Sequence, residues 1–231
     1  MKTIGLIGGM SWESTVPYYR IINETIKERL GGLHSANLIL YSVDFQPIEQ
    51  LQHAGNWDET AKTLGHAAEA VESAGAECVA LCTNTMHRVA GAIQQSVAIP
   101  FLHIAQATGA SVRTQGIETV ALLGTKFTME QEFYRGFLEN NFALSVLLPD
   151  QVDRDLIHRV IYDELCLGQV RDASRVLFAD IIGKLVRRGA EGVILGCTEI
   201  SMLVGARDST VPLFDTTRLH AQYIAEWSLS G

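Results

Sequence analysis

The chain has 231 residues and carries 18 Lys and Arg against 26 Asp and Glu, a formal net charge of −8. That balance argues against nucleic acid as a partner, because phosphate binding needs clustered cations, and no apolar run approaches the roughly 18 residues that span a bilayer. Cys78, Cys82, Cys166 and Cys197 form no Cys-x-x-Cys pair and no zinc-spaced cluster, so neither structural disulfides nor a metal site is expected.

In chain order, the first element is the short apolar run Ile4–Ile7. It enters Gly8 and Gly9 and then Trp12, Glu13 and Ser14 with no cleavage-type site, so it reads as a buried strand rather than a signal peptide, and cytoplasmic residence is the default. A helix is predicted over Thr15–Leu30, with Pro17 in its first turn and Gly31-Gly32 after its end. Leu38–Val43 reads as a second strand, with Gln52 in the loop beyond it. A helix over Asp58–Ala74 stops at Gly75, and Cys78–Leu81 follows as a strand. The remainder repeats the pattern: strands at Val120–Leu123, Leu144–Leu148 and Val193–Leu195, and helices at Met129–Asn140, Asp153–Leu167 and Ala173–Arg188. Strands alternating with helices predict an α/β fold with parallel sheets.

The chain is also internally duplicated. Thr3-Ile4-Gly5-Leu6-Ile7-Gly8 matches Thr119-Val120-Ala121-Leu122-Leu123-Gly124. Gly75-Ala76-Glu77-Cys78-Val79-Ala80-Leu81 matches Gly189-Ala190-Glu191-Gly192-Val193-Ile194-Leu195. Ile99-Pro100-Phe101-Leu102-His103 matches Val211-Pro212-Leu213-Phe214-Asp215. The offsets are 116, 114 and 112 residues. Three ordered matches at a near-constant offset predict two pseudo-symmetric domains, the first over 1–100 plus 212–231 and the second over 101–211. Ligands of such sheets bind outside the carboxyl ends of the strands, so the active site is expected in a cleft shared by the two halves.

The residues after the matched strands carry the chemistry. Leu81 is followed by Cys82-Thr83-Asn84-Thr85-Met86-His87, and Leu195 by Gly196-Cys197-Thr198-Glu199. The offset of 114 makes Thr83 equivalent to Cys197. Two side chains aimed at one substrate from opposite sides suit inversion of a carbon centre, which needs an acid on one face and a base on the other. A helix N-terminus behind Cys197 is expected to lower its thiol pKa and make it a base, and backbone N–H groups there can hold a carboxylate. Gly5, Gly8 and Gly9 do not fit a dinucleotide fingerprint. They read as a tight turn that brings Met10 and Ser11 near the ligand.

Gly5-Leu6-Ile7-Gly8-Gly9-Met10, Thr83-Asn84-Thr85-Met86-His87 and Gly196-Cys197-Thr198-Glu199 together resemble the motifs of the aspartate/glutamate racemase family, in order and over nearly the whole chain. The resemblance implies two flavodoxin-like domains, a two-base mechanism with no cofactor (neither pyridoxal phosphate nor metal), a homodimer, and amino-acid substrates such as L-aspartate and L-glutamate. It implies Thr83 and Cys197 as the catalytic pair. Met10, Ser11, Gln52, Asn84, Thr85, Thr125, Thr198 and Glu199 are expected at the substrate, with His87 orienting its neighbours.

Two departures from the family pattern matter. Thr83 stands where the common Cys-Asn-Thr-x-His motif has cysteine, and Cys82, one residue early on a strand, points to the other face and reads as core. A threonine hydroxyl stays protonated near neutral pH, which predicts asymmetric catalysis with Cys197 as base and Thr83 as donor or relay opposite; the resemblance implies that L-substrates are turned over and D-substrates poorly. The Arg after the second strand and the Lys near 161–168, typical of aspartate racemases, are absent, which leaves Gln52, Lys126 or backbone N–H groups to hold a second carboxylate and opens neutral substrates such as homoserine. Two alternatives stay open: a hydantoin racemase, maleate isomerase or decarboxylase type of enzyme with one active cysteine, and a binding protein without catalysis.

Overall fold

The opening apolar run becomes β1 (Ile4–Gly8) in this computed structural model, which describes residues 1–230. The chain continues through α1 (Trp12–Leu30), β2 (Leu38–Ser42), α2 (Phe45–His53), α3 (Trp57–Ser73), β3 (Cys78–Leu81), a 3-10 turn over Thr85–Val89, and α4 (Ala90–Ser96). Then come α5 (Ile104–Thr114), β4 (Thr119–Gly124), α6 (Lys126–Glu130), α7 (Glu132–Phe142), β5 (Ser145–Leu147), α8 (Gln151–Asp163), a 3-10 turn over Leu165–Leu167, and α9 (Asp172–Arg187). β6 (Gly192–Gly196), α10 (Ile200–Leu203), a 3-10 turn over Ala206–Asp208, β7 (Leu213–Asp215) and α11 (Thr216–Leu229) complete it. Two units result: unit 1 comprises Met1–Ile104 and the segment from His220 on, unit 2 comprises Ala105–Leu219. The chain thus passes from one to the other at the start of α5 and returns within α11.

Unit 1 holds a parallel sheet in the order β2-β1-β3. β1 is buried throughout, because side chains alternate between two covered faces. Ile7, Val79 and Leu81 join Leu64, Ala68 and Val71 of α3 on one face. Ile4, Leu6, Cys78, Ala80 and Cys82 join Tyr18, Ile22 and Ile26 of α1 on the other, together with Ala221, Ile224 and Ala225 of α11. Each large aliphatic side chain so buried stabilises the fold by roughly 1.5–3 kcal/mol. Unit 2 holds a parallel sheet in the order β5-β4-β6-β7.

The duplication extends to the pairing register. Ile4 faces Cys78 in unit 1, and its counterpart Val120 faces Gly192 in unit 2. Glu77 accepts the Thr3 N–H and Glu191 accepts the Thr119 N–H, at equivalent places. Phe101 bridges Val79 as Leu213 pairs with Val193, but only the second becomes a strand.

Several expectations need correction. α1 begins at Trp12, not Thr15, so Pro17 lies in its second turn; the Ser14 and Thr15 hydroxyls donate to the Ser11 carbonyl and hold the earlier start. Gln52 lies in α2, not in a loop. Asp44 caps this helix and Pro47 falls in its first turn, where a missing N–H costs nothing. The segment read as one helix over Met129–Asn140 is two, α6 and α7, broken where Gln131 is extended. The helix expected to reach Leu167 ends at Asp163 and is followed by the 3-10 turn. Among the described residues no helix is long and apolar enough to cross a membrane, and no cluster of His, Cys, Asp and Glu could hold a metal ion.

Candidate active site

The residues expected at the catalytic pair and the substrate are all buried: Met10, Ser11, Gln52, Thr83, Asn84, Thr85 and His87 in unit 1, and Thr125, Cys197, Thr198 and Glu199 in unit 2. Polar side chains so placed need partners or a ligand, because an unmet buried group costs about 1–3 kcal/mol.

In unit 1 the sheet ends build one cluster. β1 runs into Gly9, whose φ of +91° only glycine adopts easily, and the Gly9 N–H donates to Thr15 Oγ1 at 2.8 Å. This turns Met10 into the apolar cluster beside Ile48 and Met86. Gln52 reaches the same segment, its Nε2 lying 3.8 Å from Met86 Sδ. Cys82 is core, buried with Ile4 and Tyr18, and burial pushes its thiol pKa far up. Thr83, one residue on, leaves the strand.

His87 fixes that loop. The Ile104 N–H donates to His87 Nε2 at 3.2 Å, so the ring proton resides on Nδ1, which donates to the Thr83 carbonyl at 2.8 Å. Burial, then His103 and His220, hold its pKa well below the usual range; the imidazole is neutral. His220 is a second neutral ring, donating to the Leu102 carbonyl at 2.8 Å and accepting from the Tyr18 hydroxyl at 2.9 Å. No motif in the sequence singles out His103 and His220. Their association with His87, at centroid distances of 4.5 and 6.0 Å, joins residues far apart in the chain and left no spacing to read.

In unit 2, Cys197 follows β6 directly. Its Sγ donates to Glu199 Oε2 at 2.9 Å, and Thr198 Oγ1 donates to the same oxygen at 2.9 Å. The expected lowering of the thiol pKa is not found. Burial first, then the Glu199 carboxylate, push it well above the ordinary value. The Glu199 backbone N–H at the start of α10 works the other way but is outweighed, and α10 is only one turn long. Cys197 therefore rests as a thiol with an anionic acceptor already in hydrogen-bond contact. Glutamine at 199 would keep an acceptor and remove the charge. Glu199→Gln is expected to make Cys197 react severalfold faster with iodoacetamide at pH 8, read by peptide mapping; an unchanged rate would exclude the carboxylate as a cause of the raised pKa.

Thr125 caps α6, accepting the Thr128 N–H. Lys126 is committed elsewhere: its ammonium pairs with Asp155, and its N–H donates to His158 Nδ1 at 3.2 Å.

Two parallel α/β units of duplicated register, each with polar residues at the carboxyl ends of its strands, define the class of molecule, and comparison with known proteins agrees. The model of the Asp/Glu/hydantoin racemase family matches residues 7–224. The chain is 53% identical to a Yersinia pestis protein whose crystal structure is provisionally described as an Asp/Glu racemase, with a TM-score of 0.93 and full coverage of both chains. It is 35% identical to an aspartate racemase homologue from Pyrococcus horikoshii, with a TM-score of 0.84 and again full coverage of both. A broad-specificity amino-acid racemase of Bacillus subtilis is 21% identical over 226 residues, 93% of this chain and 92% of the relative. The chain belongs to the Asp/Glu/hydantoin racemase family. It is an isomerase.

Proposed function

We propose that this enzyme racemises amino acids by moving the α-proton, with Cys197 as base and Thr83 as the donor on the opposite face of Cα. The observation that carries the reading is the buried Cys197–Glu199 contact at the end of β6, at the repeat position equivalent to Thr83 after β3. The thiol proton passes to Glu199; the thiolate then takes Cα–H from an L-amino acid, and the Thr83 side returns a proton to the other face. Asn84, Thr85, Thr125, Thr198, Gln52, Ser11 and the Met10 backbone hold the substrate. L-aspartate and L-glutamate are the first substrates to try. With Lys126 engaged by Asp155, a neutral analogue such as L-homoserine is the second.

Proton NMR in deuterated buffer tests this. L-substrates should lose Cα–H and invert. Thr83→Ala should keep exchange within about threefold while inversion falls by roughly 10²-fold, the worth of one positioned proton donor. Wild-type protein that exchanges none of these substrates while still binding them would refute the proposal. It would favour a binding protein instead, a reading supported by the protonated resting state of Cys197.

A further inference from the structure

The chain crosses between units at two points, and one cluster of rings, with His87 and His220 buried at its centre, touches both. Ile104 is the last residue of unit 1 before the first crossing, and its N–H is held by His87 Nε2. His220 is the first residue after the return. Its Nε2 donates to Leu102, two residues before the first crossing, and its Nδ1 anchors Tyr18 of α1. The His103 ring lies 4.5 Å from His87, and Phe101 closes the cluster at 5.4 Å from His87. The other nitrogen of His87 ends on the Thr83 carbonyl at 2.8 Å. A single imidazole thus bonds the backbone of the proposed proton donor at one end and the chain crossing at the other. Both bonds are buried, where a hydrogen bond gains strength and its loss strands two polar groups.

We propose that His87 is a positioning residue, a two-ended tether that holds the Thr83 loop to the first chain crossing and so sets where the Thr83 hydroxyl delivers its proton. This rests on the racemase reading above. The two ends separate by substitution. Asparagine places an amide donor near the Nδ1 position and keeps the bond to Thr83; glutamine reaches the Nε2 position and keeps only the bond to Ile104. Misplacing a donor by about 1 Å costs on the order of 10²-fold, but Cys197 would still remove and return a proton on its own face.

His87→Gln is therefore expected to raise the ratio of Cα–H exchange to inversion with L-aspartate about tenfold or more, while His87→Asn stays near the wild-type ratio. His87→Leu, apolar and lacking both bonds, serves as the second tether-free variant should the glutamine variant not fold. Amide hydrogen exchange over residues 82–87 reads the loop independently of turnover. It should accelerate in the Gln or Leu variant and not in the Asn variant. Exchange and inversion falling in step, or Asn behaving as Gln does in either readout, would overturn the tether. Wild-type protein without turnover would instead strike at the racemase reading, and the amide measurement would still decide the tether.

Discussion

Replacing Cys197 with alanine is expected to lower both Cα–H exchange and inversion of L-aspartate by about 10³-fold or more, within the range that a positioned general base contributes. Alanine removes a single sulfur atom from a buried side chain, so the loss should fall on kcat with KM within a few fold. The cause is electrostatic. In the resting protein the thiol proton is held between sulfur and Glu199 Oε2, and burial and the carboxylate both favour keeping it on sulfur. On the proposed mechanism the base is therefore generated when substrate is present. An incoming ammonium group is the natural trigger, since a positive charge nearby favours thiolate over thiol. Alanine retains Glu199 and Thr198 but offers no atom to receive Cα–H. Should the alanine variant exchange Cα–H at more than a tenth of the wild-type rate, another group is the base and the Cys197–Glu199 contact is structural.

Stability is expected to fall steeply in mild acid, and the loss should arise in unit 1. His103 is held down to about 4 and His220 to about 3, chiefly by burial, and His87 lies well below its usual value for the same reason. Each folded-state pKa is below the unfolded value near 6.5. Above pH 6.5 neither state is protonated and nothing is lost. As pH falls from 6.5 towards 4 the unfolded chain takes up protons that the folded one refuses, so stability declines across that window. At pH 4.5 the loss is about 2.5 kcal/mol for each of His103 and His220. Together these two take about 5 kcal/mol, the lower end of an ordinary domain's whole stability, and His87 shifts in the same direction. Denaturant unfolding at pH 7.0, 5.5 and 4.5 measures it, with His220→Phe as a control that should flatten the slope. Equal stability at pH 7.0 and 4.5 would mean these rings are charged, or exposed, in the folded protein.

How much of the molecule was legible in the sequence depends on the strength of each physical signal. The strands β1, β3, β4 and β6 are continuous apolar runs closed by glycine or a polar turn, and the repeat located both their partners and the Thr83–Cys197 equivalence. The Cys82 assignment rested on strand alternation alone, and the core cluster with Tyr18 and Ile22 bears it out. α2 was missed because Asp44-Phe45-Gln46-Pro47 looks like a turn; the same residues are an N-cap and a first-turn proline. Electrostatics at Cys197 was misjudged because local sequence names the residues beyond a strand but not how long the next helix runs or how dry its surroundings are. The histidine cluster was invisible for a different reason: its members come from three distant segments, and only tertiary structure brings them together.

The split ownership of the C-terminal helix bears on how the protein is made. Unit 2 is one uninterrupted stretch, Ala105–Leu219, whereas unit 1 takes in the segment from His220 on, where Ala221, Ile224 and Ala225 lie against Ile4, Leu6 and Tyr18. During synthesis the first hundred residues emerge early with one face of their sheet lacking its final cover. The contiguous middle can close its own core while the beginning waits for the end. Apolar surface around β1 and α1 stays open while the whole of unit 2 is made, at 5–20 residues per second about 6–23 seconds, a window in which exposed apolar surface invites misassembly.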